Sequence, residues 1–169
     1  PYHFAGLAET VQGYVAELKT LHAATATRIT ETNRQIEEGV FTATDDPHSP
    51  LKAPKSESPA PAINFAPLDN ASEALNRAAE RYEKAYATAI AGGADATLFA
   101  QANAIMRAAD QVLLGADGLP KRPWYQHLLY APGLYTGYGV KTMPGAREAI
   151  EQKAWIEAES QLQLIAAAV

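Results

Sequence analysis

Residues 68–90 read LDNASEALNRAAERYEKAYATAI, and in this stretch Leu68, Ala71, Leu75, Ala78, Tyr82, Ala85 and Ala89 recur at spacings of 3 and 4. That period lays the apolar side chains along one face of an α-helix, whereas a half-buried strand would alternate every second residue. The run carries its own punctuation. Pro67 precedes it, Asp69 or Asn70 is placed to cap its first turn, and Glu73 stands three residues after Asn70 in capping-box position. Gly92-Gly93 then ends it.

Beyond those glycines the same period resumes. Asp95 or Thr97 is placed to cap a helix whose stripe is Leu98, Ala102, Ile105, Ala109 and Val112, closing at Gly115. So short a connection predicts an antiparallel hairpin, with Leu75 and Ile105 as core positions. A further helix starts at Pro144, a favoured first-turn residue, and runs through Ile150, Ala154, Ala158, Leu162 and Ile165 to the C-terminus. Upstream, Phe4, Leu7, Val11, Tyr14, Leu18 and Leu21 form a coiled-coil-like seam that thins to Ile29 and Ile36 before Gly39. The sum is an all-α, four-helix up-and-down bundle with a long first helix, in one domain over residues 1–169.

Composition agrees. The 169 residues include 35 alanines, and the 11 prolines cluster: six lie between Pro47 and Pro67 and four between Pro120 and Pro144. Proline-free, alanine-rich stretches favour helices, and the clusters mark two long loops, a Pro-rich one at about 41–67 and a Tyr/Pro/Gly-rich crossover at about 115–143. Leu51, Ile63 and Phe65 are the apolar residues able to strap the first loop to the surface. An unbroken first helix would reach about 54 Å, beyond the roughly 30 Å of its neighbours. Either it bends back or its overhang packs on another domain or protomer, and the contiguous seam favours the second.

Several function classes fall away. There is no cysteine for disulfides or thiolate zinc sites, and a net charge of −5 with a pI near 5.3 disfavours a nucleic-acid module. The longest apolar run, Leu164 to Val169, is far short of a membrane span of about 20 residues. No two of His3, His22, His48 and His127 stand at helical metal-site offsets, and no phosphate loop, H-E-x-x-H or G-x-S-x-G is present. His22 reads as an ordinary helix-surface residue. Glu37-Glu38 and Asp45-Asp46 read as solvated charge. A chain opening on Pro1 is expected to be a piece of something longer.

The stretch from Gly115 to Gly145, GADGLPKRPWYQHLLYAPGLYTGYGVKTMPG, concentrates Trp124, Tyr125, Tyr130, Tyr135 and Tyr138 among prolines and glycines. Such rings on a rigid loop suit a binding surface or a plug over the end of a bundle, and composition alone favours the plug.

The run Gly118 to Pro132, GLPKRPWYQHLLYAP, followed by Tyr138 and Met143-Pro144-Gly145, strongly resembles the transferrin receptor-like dimerisation domain. That domain forms the C-terminal part of glutamate carboxypeptidase II-like proteins. The likeness is specific over about Val112 to Ile150 and extends as a helical pattern from Phe65 to Val169; the first helix and the Pro-rich loop look like an elaboration. The resemblance implies a bundle that pairs in a homodimer and packs on an upstream zinc-peptidase domain. It also places the two zinc ions in that upstream domain, with no cofactor in this chain. In the carboxypeptidases the loop after Y-A-P carries a lysine–tyrosine pair that holds the substrate's terminal glutamate. The tyrosine falls on Tyr138, but the lysine falls on Gly137, which puts glutamate specificity in question. Lys141 is the candidate replacement, and Tyr135 joins Tyr138 as a candidate pocket residue.

The leading expectation is therefore a dimerisation domain, non-catalytic alone, whose Gly133 to Thr142 loop walls the peptide-substrate pocket of a zinc-dependent exopeptidase parent. The alternatives are a non-enzymatic, transferrin receptor-like protein and a free-standing bundle binding a small molecule through the aromatic loop. Upstream zinc ligands would separate the first two. The resemblance points to a secreted, periplasmic or membrane-anchored parent.

Overall fold

The computed structural model describes residues 4–43, 53–93 and 95–169. Among them are the helices α1 (Phe4–Glu37), α2 (Val40–Ala43), α3 (Ala66–Ala91), α4 (Ala96–Val112), α5 (Pro144–Glu151) and α6 (Trp155–Ala168). One small antiparallel sheet pairs β1 (Tyr130–Pro132) with β2 (Val140–Thr142). The expected all-α bundle is present. Leu51, His3, His48 and Asp45-Asp46 lie outside the described residues.

The core fills the space between α1, the start of α3, α5 and α6. Val11, Val15 and Leu18 of α1 meet Leu68 of α3, Ala146, Ala149 and Ile150 of α5, and Ala158, Leu162 and Ile165 of α6. Leu128, Leu129 and Met143 close it from the crossover loop. α1 and α3 run antiparallel: Lys19 pairs with Asp69 at 2.7 Å near one end, and the rings of Phe4 and Tyr82 meet edge-on at 5.3 Å near the other.

The helix ends follow local chemistry. Gly39 (φ +72°) and Gly93 (φ +68°) supply the left-handed residues that stop α1 and α3. Asp95 caps α4 by accepting from the Leu98 N–H at 2.9 Å, and Pro144 opens α5. α3 begins earlier than the capping box predicts, at Ala66. There the Asn64 side chain accepts from the Ala66 N–H at 3.0 Å, which frees Asp69 to pair with Lys19. Its buried face is Leu68, Ser72 and Ala79, with Leu75 and Tyr82 half-buried, while Ala78 and Ala85 face outward.

Three expectations are corrected. The final helix is not continuous: Lys153 adopts φ +59°, its N–H bonds the Ile150 carbonyl at 3.0 Å and the Ala154 N–H the Ala149 carbonyl at 2.8 Å, so the chain turns between α5 and α6. The break folds α6 back on α5, and the Gln161 side chain lies over Gly145, its Oε1 2.2 Å from where a Cβ would stand.

The overhang of α1 is covered by the chain's own Pro-rich segment. Asn33 Oδ1 accepts from the Glu57 N–H at 3.0 Å and its amide donates to the Glu57 carbonyl at 2.7 Å, while His22 Nε2 sits 2.9 Å from the Pro61 carbonyl. Between these anchors Thr25 and Ile29 are buried. His22 is thus a clamp, packed between Phe65 and Trp155, and not a bland surface residue. Lys153 ties the same strap to the α5–α6 turn through Glu57.

Third, α4 does not pack along α3. The rings of Tyr86 and Phe99 touch at 5.5 Å, and of α4 only Met106 is buried. Ile105, expected in the core, is 75% exposed, and Leu98 and Val112 are also exposed.

Candidate functional site

The crossover between α4 and α5 makes two successive loops. In the first, Leu114 bridges His127, the Gly115 N–H bonds the Gln126 carbonyl at 2.8 Å, and the Leu119 N–H bonds the Tyr125 carbonyl at 2.7 Å. Gly118 must be glycine, since its φ is +68° and a Cβ would lie 2.1 Å from the Pro123 carbonyl oxygen. This turn buries Leu119 and Arg122 and pushes Trp124 out to 73% exposure.

In the second loop, β1 and β2 pair with Tyr130 opposite Thr142 and Pro132 opposite Val140, presenting Gly133 to Gly139 between them. The loop closes internally through Gly133 N–H to the Gly139 carbonyl at 2.9 Å and Gly139 N–H to the Thr136 carbonyl at 3.3 Å. Its base is tied to the helices: Thr142 donates to Glu17 Oε2 at 2.8 Å, Arg147 Nε donates to the Thr142 carbonyl at 2.9 Å, and Arg147 also pairs with Glu17.

The aromatic side chains do not plug the bundle. Tyr138 is fully exposed, Tyr135 is 79% exposed, and Tyr130 and Val140 are exposed beside them. Tyr135 and Tyr138 therefore share one loop, with their rings available to something outside the described chain. Lys141 has a partner of its own. On β2 its ammonium pairs with Glu151 of α5, and its stem covers Gly133, where a Cβ would come within 3.1 Å of Lys141 Cε. Gly137, where the family resemblance would place a lysine, has φ +61°, a conformation that favours glycine.

Beneath both loops lies a feature the sequence reading missed. Arg122 and Glu148 are almost completely buried and pair at 2.8 Å through Arg122 Nη2 and Glu148 Oε2. Glu148 Oε1 accepts the Leu134 N–H at 2.7 Å. Arg122 Nε is buried without an acceptor, so the guanidinium depends on this carboxylate and on the Tyr125 ring 5.9 Å away. Removing one member of such a pair strands a buried charge at a cost of about 3–5 kcal/mol. In sequence, Glu148 looks like a carboxylate near a helix start, which solvent and the helix dipole explain without a partner.

A groove of about 260 Å³ runs between the start of α1, α4 and the first loop, lined by Phe4, Leu7, Met106, Leu113, His127 and Tyr130 among others. It does not include Tyr135 or Tyr138. Among the described residues no group of three or more His, Asp or Glu side chains gathers to hold a metal ion. No helix there is long and apolar enough to cross a membrane.

The sequence that builds this helical bundle with a proline-punctuated aromatic crossover matches a known family. Residues 63–169, more than half of the chain, match the family described as transferrin receptor-like dimerisation domain, and the chain belongs to that family. It is 49% identical over 43 residues to a protein of Arabidopsis thaliana named "Probable glutamate carboxypeptidase LAMP1", covering 25% of this chain and 6% of that protein. It is 33% identical over 91 residues to "Probable glutamate carboxypeptidase" of Arthroderma benhamiae, covering 54% of this chain and 12% of that protein. The chain thus spans a small fraction of the curated relatives it matches.

Proposed function

We propose that this chain is the C-terminal dimerisation domain of a glutamate carboxypeptidase-like zinc exopeptidase, non-catalytic alone, and that its Gly133–Thr142 loop walls the peptide pocket of the upstream domain. The observation that carries the reading is the full exposure of Tyr138 beside Tyr135 on a loop whose base is fixed to α1 and α5. A ring left bare on a firmly held platform suits contact with another surface. The names of the two relatives supply the reaction class. The two zinc ions belong in this reading to the upstream domain, as the family resemblance implies.

For the homodimer, the α4 stripe is the proposed seam. Leu98, Ile105 and Val112 are all exposed and stand seven residues apart, the spacing that keeps side chains on one face of paired helices. Lys141 would join the pocket only by leaving Glu151.

Tyr138→Phe in the intact parent tests the pocket role. Loss of a hydrogen bond to a charged substrate group is worth about 1.5–3 kcal/mol, which lowers kcat/KM roughly 10- to 100-fold with folding unchanged. Unaltered kinetics would assign Tyr138 to structure.

A further inference from the structure

We propose that Glu148 is the positioning residue of the aromatic loop, and that through it the loop carrying Tyr135 and Tyr138 and the turn carrying Trp124 are held as one unit. The functional consequence rests on the pocket reading above; the mechanical one does not.

The geometry is specific. The backbone bonds within Gly133–Gly139 set the shape of the loop but not its place. Thr142 and Lys141 tie the β2 side of the loop to α1 and α5, and on the β1 side the Leu134 N–H, immediately before Tyr135, donates to Glu148 Oε1 at 2.7 Å. The other oxygen takes Arg122 at 2.8 Å, two residues before Trp124. Glu148 is a rigid point of attachment, because its helical neighbours Ala146, Ala149 and Ile150 are fully buried in the core.

Two donors from two loops require two acceptor oxygens on one side chain. A carboxylate has both, while a glutamine amide has one oxygen and one NH2 group, so whichever way it is turned a donor faces a donor. Aspartate keeps the charge but is one carbon shorter, so it cannot reach both partners from the same backbone position. The nearest other carboxylate on α5, Glu151, cannot substitute, because it is engaged with Lys141.

The test uses the intact parent chain carrying Glu148→Gln, with Glu148→Asp as the second variant should the first fail to fold. Hydrogen exchange is followed over residues 134–139 and over the core of α6, alongside KM and kcat for a peptide substrate. The expected result is exchange about tenfold or more faster in the loop, as loss of a charge-assisted hydrogen bond implies, while the α6 core quickens only as far as the lowered global stability of the stranded Arg122 requires, and KM is raised more than kcat is lowered. Unchanged loop exchange in a folded variant, or loop amides exchanging no faster than those of the α6 core, would overturn the assignment. Faster loop exchange with unaltered KM and kcat would uphold Glu148 as the loop's anchor and count against the pocket role of the loop.

Discussion

The backbone N–H of Leu129 donates to Nδ1 of His127 at 3.2 Å, which fixes the neutral ring with its proton on Nε2, facing Asp110 at 3.8 Å. Leu129 is a core residue, and its carbonyl in turn accepts from the Met143 N–H at 2.8 Å at the base of the hairpin. Burial pulls the His127 pKa below its ordinary 6.5, against the opposing pull of Asp110. Below pH 6.5 the unfolded chain therefore binds more protons at this residue than the folded one. Stability should be intact above pH 6.5 and fall as the pH drops towards the depressed folded value. An NMR titration of the His127 ring checks this directly; a midpoint at or above 6.5 would contradict it.

Burial separates two residues that the sequence places on equivalent stripes. Leu162 is buried against α5 and α1, so Leu162→Ala should cost about 2–5 kcal/mol. Ile105 is three-quarters exposed, so Ile105→Ala should stay within about 0.5 kcal/mol when unfolding is measured on dissociated protomers. Urea denaturation distinguishes them, and similar losses at both positions would mean that α4 packs into the core.

Gly145 sits where α5 meets α6, and a methyl group there would press on the half-buried Gln161 side chain. Gly145→Ala should destabilise by about 1–3 kcal/mol through overpacking. Trimming Gln161→Ala in the same chain should return part of that loss, giving a clear coupling energy in a double-mutant cycle. Strict additivity would show that the two residues do not meet.

The helices were legible because 3–4 spacing, Gly39, Gly92-Gly93, Asp95 and Pro144 are local signals that the structure uses as written. The turn between α5 and α6 was not, because Gln152-Lys153-Ala154 contains neither glycine nor proline. Lys153 takes a left-handed conformation with its side chain held by Glu57, almost a hundred residues earlier. The α1 overhang was misjudged for a related reason: an apolar seam says that something covers it, and only the Asn33–Glu57 and His22–Pro61 contacts reveal that the cover is the same chain. The α4 stripe carries the identical signal with the opposite outcome. At the site, clustering marked the aromatic loop, but Arg122–Glu148 joins residues from separate elements and has no signature in spacing.

Dimerisation through α4 is tested by sedimentation velocity of the intact parent at micromolar concentration, with Ile105→Glu run beside it. The parent should sediment as a dimer and shift to monomer when a charge is placed on the α4 stripe. A parent that sediments as a monomer while retaining full peptidase activity would contradict it.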